Sequence, residues 1–294
     1  RAGDLVRPAG SSEAMQVVTA TSTTVTVTRG YGATSAAALS DNQELQVVGH
    51  AALEGEDAAA AVSQLRQRLE NYTQIFTETV SISGSLDAVS LHGIDREYDY
   101  QVINRLRELM RQLEQSVISG VKAASNGQGS ASVRRTMGGI LSFITGTNAV
   151  VNAAGGDDLD EERLNDAIRA CWEKGGRPNA IVVSGFQKRR ISTFVSAGTQ
   201  FVPGETKLKS MVEVYQSDFG QQKIILSRWV PKDTVLLLDL DKIQVMPLAG
   251  RNFQVKPLAT TGDFRKAQVL GEYTMEIMNA ADGGHGVIKG LATS

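Results

Sequence analysis

Apolar and polar positions change period several times along the chain. Ala14-Met15-Gln16-Val17-Val18 and Thr24-Val25-Thr26-Val27-Thr28 read as strands, and the second alternates Thr and Val with period two. That is the pattern of a half-buried antiparallel strand. Gly3 to Arg7 and Glu44 to Val48 read as two more strands. Arg29-Gly30-Tyr31-Gly32 reads as a turn whose glycines permit positive φ. Residues 3–49 thus predict a small β unit with a thin core, not expected to be stable alone.

Ala51 to Leu69 is Ala-rich and acidic, and Val62, Leu65 and Leu69 predict a connector with a short helix. An extended run follows from Asn71 to Leu91. The pattern then turns helical from about Asp95 to Val121. Val102, Leu106, Leu109, Leu113 and Val117 form one stripe, widened by Ile103 and Met110. Arg105, Arg107, Glu108, Arg111 and Glu114 fill the other side. Asp95, Glu97 and Asp99 fall in the first turns, where the helix dipole favours carboxylates. At ~1.5 Å per residue such a helix is about 40 Å long.

Asn126-Gly127-Gln128-Gly129 breaks the pattern, and residues 131–151 are again apolar. A helix is predicted from about Leu159 to Lys174, with Leu164, Ile168 and Cys171-Trp172 inward. Asn179 to Ser184 reads as a buried strand, Gly185 to Val195 as a basic helix and residues 197–210 as a polar loop. Strands are expected at Met211–Tyr215, Lys223–Leu226, Thr234–Leu240, Lys242–Met246 and, longest, Ala267–Met278. The fold class is α+β.

Composition narrows the function. With 294 residues there is room for two domains or one large one. The aromatic share is 5%, so aliphatic side chains must fill the core. Net charge is −2, which argues against tight binding to nucleic-acid phosphates. Charge is uneven: residues 1–121 carry nine Arg, no Lys and fifteen acids, whereas residues 122–294 carry 21 basic and 17 acidic residues. One cysteine, Cys171, excludes an intrachain disulfide and a Cys-x-x-Cys site. No apolar run reaches the roughly 18 residues of a membrane span, and no signal peptide is visible. The chain opens on Arg1 rather than Met, so a processed product or a fragment is expected.

Candidate chemistry resolves into structure. Asp157, Asp158, Asp160, Glu161 and Glu162 lack the spacing of a calcium loop and read as a helix cap and first turn. Lys188-Arg189-Arg190 reads as a solvated helix face or a subunit contact. Gly30-Tyr31-Gly32-Ala33-Thr34-Ser35 is not a complete dinucleotide fingerprint. Asn71-Tyr72-Thr73 fits a glycosylation pattern common by chance. Cys171 reads as core, and His92 has no nucleophile elbow beside it. His285, within Gly283-Gly284-His285-Gly286, reads as a loop residue. No catalytic, cofactor-binding or metal site is assigned.

Four segments in order carry a family resemblance: Arg29-Gly30-Tyr31-Gly32, Asn71-Tyr72-Thr73-Gln74-Ile75-Phe76, Arg135-Thr136-Met137-Gly138-Gly139-Ile140 and Glu272-Tyr273-Thr274-Met275-Glu276. Flanking a long helix, they resemble the major capsid protein of tailed bacteriophages, the Hong Kong 97 fold, in a subgroup with a β insertion in the extended loop. The resemblance implies an extended-loop region at 1–94 and a peripheral domain with a spine helix at 95–154. It further implies an axial domain at 155–250 and a return to the peripheral domain at 251–294.

The function so implied is a non-enzymatic shell protein. It would assemble in the bacterial host cytoplasm, as hexameric and pentameric capsomers, into the icosahedral head around packaged double-stranded DNA. Portal, scaffold and decoration proteins are implied partners, and neither membrane nor cofactor is. The family's usual N-terminal arm is not seen before the β unit, whether cleaved by a maturation protease or never present. Some members weld the shell by an isopeptide bond from an extended-loop lysine; residues 1–121 contain none, so a non-covalent shell is expected. An encapsulin-type nanocompartment shell is the alternative. A hydrolase using His92 or Cys171 is a distant one, since no acid–base pair or activated nucleophile can be assembled.

Overall fold

The structure is a computed structural model that describes residues 1–55, 57, 68–89, 96–123, 129–146, 149–197, 214–259 and 262–293. It divides into two compact units, Arg1–Arg68 and Leu69–Ser294.

The first unit is one antiparallel sheet of β1 (Asp4–Pro8), β2 (Met15–Ala20), β3 (Val25–Thr28) and β4 (Leu45–His50), in the order β3-β2-β1-β4. Its core is Val6, Met15 and Val17, with Val27 packed against them. Val6 stands opposite Met15 on one side and Val47 on the other, yet Val47 is 68% exposed. The apolar face therefore runs into solvent at the edge strand, as the thin pattern implied. The Gly30-Tyr31-Gly32 turn uses its glycines: both have φ near 65° (64° and 66°), in the left-handed region.

The second unit holds the rest. Its strand β5 (Gln74–Ser83) leads into a short helix α1 (Gly84–Ala88), capped by the Ser83 hydroxyl. The extended run thus ends at Ser83, eight residues before the Leu91 expected from the sequence, because Ser83 accepts the Leu86 N–H and starts a helical turn. Next come the long helix α2 (Glu97–Ser119), a single turn α3 (Ile140–Phe143), β6 (Val150–Ala153), α4 (Glu161–Glu173), β7 (Ala180–Val183) and α5 (Gly185–Ala197). Then follow β8 (Val214–Ser217), β9 (Gly220–Leu226), β10 (Val235–Leu238), β11 (Ile243–Pro247), β12 (Gln254–Leu258), β13 (Phe264–Ile277) and β14 (Gly286–Lys289).

Two sheets organise these elements. One has six strands in the order β6-β14-β10-β7-β9-β8. Its central strand β7 is buried on both faces, hence its unbroken Ala-Ile-Val-Val run. Ile181 and Val183 pack with Leu164, Ile168 and Ile191 of α4 and α5. Val182 points the other way, into a cluster with Ile118, Ile140 and Met275.

The other sheet is built on β13. Along one edge β5 pairs with it through ten residues, from Phe264 opposite Ser83 to Tyr273 opposite Gln74. Along the other lie β12 and then β11. Helix α2 lies on this sheet through Val102, Leu106, Leu109, Leu113 and Val117, which meet Phe76, Met137 and Val269. The extended run is therefore, over Gln74–Ser83, a strand paired along its length with β13, with Phe76, Val80 and Ile82 buried.

The long helix differs from its expected form in two ways. Its 23 residues make it about 34 Å long. Ile103 and Met110, expected to widen the buried stripe, are 48% and 56% exposed, because the sheet covers only the narrower Val102–Val117 row. In α4, Trp172 is likewise 56% exposed rather than inward; one step on from Cys171, it is carried about 100° round the helix to stack on Phe219, with ring centroids 5.7 Å apart. Three strands had no clear signal in the sequence: β6, β12 and β14. The connector helix near Val62, Asp95, His92, the Asn126–Gln128 break and the polar loop lie outside the described residues.

Candidate functional site

Three of the four sequence segments that carried the resemblance meet at one place, around Glu272 of β13. Its side chain is 3% exposed. Oε1 accepts from the Thr73 hydroxyl at 2.6 Å and from an Arg135 guanidinium nitrogen at 2.7 Å. Oε2 stands 2.7 Å from Arg251 Nε. That last N–H is not aligned for a hydrogen bond, so Arg251 acts there as a charge. The main chain repeats the link: Glu272 N–H donates to Arg251 O, and Leu248 N–H donates to Glu272 O, each at 2.9 Å.

Asn71 ties the same segments from the other side. Its Nδ2 donates to the carbonyls of Gly138 (3.0 Å) and Met275 (2.8 Å), and its Oδ1 accepts from Gly138 N–H (2.8 Å). The Thr274 hydroxyl donates to Tyr72 O at 3.0 Å, and Met137 N–H donates to Gln74 Oε1 at 3.1 Å. Asn71, read from sequence as a chance glycosylation match, is a three-way clasp. Gly139 completes the junction: its N–H donates to Gly120 O at 2.8 Å, and a Cβ there would lie 2.5 Å from Gly120 N. The end of α2 and the Met137–Ile140 segment touch backbone to backbone.

The fourth segment forms a similar junction in the first unit. Glu13 has a fully buried side chain, and Arg29 grips it with two guanidinium nitrogens at 2.6 Å each. Gly30 and Ala37 N–H groups also donate to it, at 3.2 and 2.9 Å. The Arg29 hydrogen bonds, opposed by burial and helped by the two backbone N–H groups, hold the Glu13 carboxyl down at about 2. The sequence offered no sign of Glu13 or Arg251, and none of the clasp that Asn71 makes. Each is a single polar residue whose partners are distant in the chain.

The carboxylates of Glu13 and Glu272 and the amide of Asn71 are taken up by groups of the protein itself, so the chemistry of these junctions is that of fasteners. Several of the other singled-out residues are also engaged. Asp160 caps α4 by accepting the Arg163 N–H at 2.7 Å, Asp157 pairs with Arg163, and Asp158 pairs with Arg190. Arg190 also lies over the Phe186 ring, 5.5 Å from its centroid. Cys171 is buried in the core, and burial pushes its thiol up to about 12. His285 adds a feature. It lies in the bend before β14, the loop read from the sequence, but what the sequence did not show is that it is fully buried and held at both ring nitrogens by main-chain groups of Asp239 and Met278. Among the described residues no three acid, His or Cys side chains converge as a metal site, and no helix is long and apolar enough to cross a membrane.

A family model of the SU10 major capsid protein matches residues 8–292. The chain belongs to the SU10 major capsid protein family. It is a shell-forming capsid protein, a structural component of a tailed-phage head. Solved capsid structures share its Hong Kong 97 fold. A capsid chain of cyanophage A-1(L) is similar with TM-score 0.53 at 13% identity, over 74% of this capsid protein and 77% of that chain. A chain from Mycobacterium phage Cain gives 0.51 at 11%, over 85% and 82%. The SrpI encapsulin of Synechococcus elongatus PCC 7942 gives 0.51 at 10%, over 98% and 83%. At such identities the likeness is one of fold. No curated protein sequence matches the capsid protein.

Proposed function

We propose that this capsid protein assembles through hexamers and pentamers into an icosahedral head that encloses double-stranded DNA, with non-covalent contacts between subunits. The family match over residues 8–292 carries the reading. In a closed shell, symmetry decides which patches of identical subunits meet. A net charge of −2 suits a wall around DNA, since a strongly basic lining would bind the phosphates.

The regional roles belong to the same proposal: extended-loop region at 1–94, peripheral domain at 95–154, axial domain at 155–250 and peripheral return at 251–294. The pairing of β5 with β13 favours counting Gln74–Ser83 with the peripheral sheet, and reach over a neighbour then falls to the residues before it. Portal, scaffold and decoration proteins are proposed partners, and the host cytoplasm the place of assembly.

Negative-stain microscopy of the purified protein tests this. Uniform icosahedral particles are expected, and a persistent small monomer overturns the reading. The encapsulin likeness, which spans 98% of this chain, supports a second reading as a nanocompartment shell. Particles from the native source holding an enzyme cargo instead of DNA favour that second reading.

A further inference from the structure

The two sheets of the second unit are joined by two crossings in the C-terminal third. One runs from β10 through a turn at Leu240–Lys242 into β11, and the other from β13 through residues 278–285 into β14. Met278 N–H donates to Lys242 O at 3.1 Å, so the crossings lie side by side. His285 spans them. Asp239 N–H, at the exit of β10, donates to His285 Nδ1 at 3.1 Å. His285 Nε2 lies 3.0 Å from Met278 O, at the exit of β13.

A backbone N–H can only donate, so Nδ1 must present its lone pair. The proton then sits on Nε2 and is donated to Met278 O. This arrangement admits one protonation state. A second proton, on Nδ1, would set donor against donor inside a fully buried site.

We propose that His285 is a pH-operated latch between the two sheets, closed while the imidazole is neutral and opened when a proton from solvent takes the lone pair that Asp239 uses. The inference concerns the subunit itself and does not rest on the assembly reading.

The groups around the ring set its response. Burial disfavours the imidazolium, while the Met278 carbonyl and the Asp239 carboxylate favour it and Lys242 opposes it; the result lies below the ordinary value of 6.5. Asp239 pairs with Lys242 at 3.2 Å, and its Oδ1 accepts the Asp241 N–H. Asp241 in turn accepts from Asn179 at 3.2 Å. From α4, the Cys171 thiol lies against Gly286 and the Lys174 chain against Gly283. Asp282, on the same turn as His285, is exposed. That turn also carries left-handed backbone: Asn279 has φ of 57° and Gly283 of 80°. Leu236 and Leu238 of β10 and Met275 and Ile277 of β13, which lead into the two crossings, belong to one apolar cluster.

Because the folded value is depressed, the latch is fully closed above about 6.5 and loosens as pH falls from there through the folded value. Hydrogen exchange of the full chain, corrected for intrinsic rates between pH 7.5 and 4.5, tests it. Segments 239–242 and 278–286 should speed up by as much as about tenfold per pH unit below 6.5, while β7 stays flat. His285→Asn, which keeps a non-titrating acceptor near the Nδ1 position, should abolish the dependence, and Asp239→Asn, by removing a carboxylate that favours the imidazolium, should extend it to lower pH. Wild-type segments that stay flat, or that accelerate in step with β7, overturn the latch, and so does an unchanged response in folded His285→Asn.

Discussion

Arg135 holds the buried carboxylate of Glu272 at 2.7 Å across 137 positions of sequence. The contact fastens the segment after the long helix to the centre of the longest strand. Thr73 and Arg251 approach the same carboxylate from two other segments. Neutralising it leaves two guanidinium groups without their shared counter-charge. Glu272→Gln should lower the stability of the second unit by about 1–3 kcal/mol, the range for a buried hydrogen-bonded group losing its charge. Arg135→Met should cost less, because Arg135 is 28% exposed and Thr73 and Arg251 still meet the carboxylate. Denaturant midpoints of both variants and the double variant check this. Strictly additive losses would mean that the two residues are not coupled.

Gly139 should resist substitution for a different reason. A methyl group there would meet the Gly120 nitrogen at 2.5 Å and the Ser116 oxygen at 2.7 Å, both backbone atoms. Neither can swing away as a flexible side chain would. Gly139→Ala is expected to cost about 1–3 kcal/mol or to block folding. Gly185→Ala is the control: a Cβ meets nothing within 4 Å at the start of α5 and should be neutral or mildly stabilising. Thermal melts of the pair give the comparison, and equal midpoints would contradict it.

The first unit should be acid-sensitive through Glu13. Its carboxyl falls from 4.5 to about 2 on folding, chiefly because Arg29 hydrogen-bonds the charged form. A depressed carboxylate adds stability above its unfolded value and loses it as pH drops through the folded one. The contribution should therefore be complete above pH 4.5 and fade towards pH 2. Exchange protection of the β1–β4 amides, followed through that window, should fall for the wild type. Glu13→Gln should start lower and show a shallower slope.

Cys171 should be inert while the subunit is folded. Its thiol is buried in the core, and burial pushes it up to about 12, partly offset by Lys174. At pH 8 the thiolate fraction is then on the order of 10⁻⁴. A thiol-reactive dye should label the native protein very slowly and the denatured protein at once. Rapid native labelling would show that α4 opens readily.

Subunits in the shell should separate after boiling in detergent. Residues 1–121 contain no lysine, so this region offers no side-chain amine for an isopeptide bond. A single band near 31.5 kDa is the expected result on a denaturing gel of purified particles. A ladder of higher multiples would require a covalent link from elsewhere.

Period and local chemistry were enough for much of the architecture. The Thr/Val alternation of β3, the 3.6-residue stripe of α2 and the unbroken apolar run of β7 are legible because each follows from immediate neighbours. The acidic cap of α4 is local too, with Asp160 only three residues from the N–H it accepts. The order of four short segments carried the family.

Partners were another matter. Nothing near Asn71 or Ser83 says that β5 pairs with a strand almost 200 residues away, or that Ile103 and Met110 stay outside while Leu109 is buried. Strands β12 and β14 exist as strands because β13 and β10 supply their ladders. Glu13, Glu272 and His285 look like ordinary polar residues in sequence. Their buried state is tolerable only because distant groups converge on every polar atom that matters. Short-range periodicity decided which elements could form; the pairing of distant strands and the satisfaction of buried charge decided which did, and where they meet.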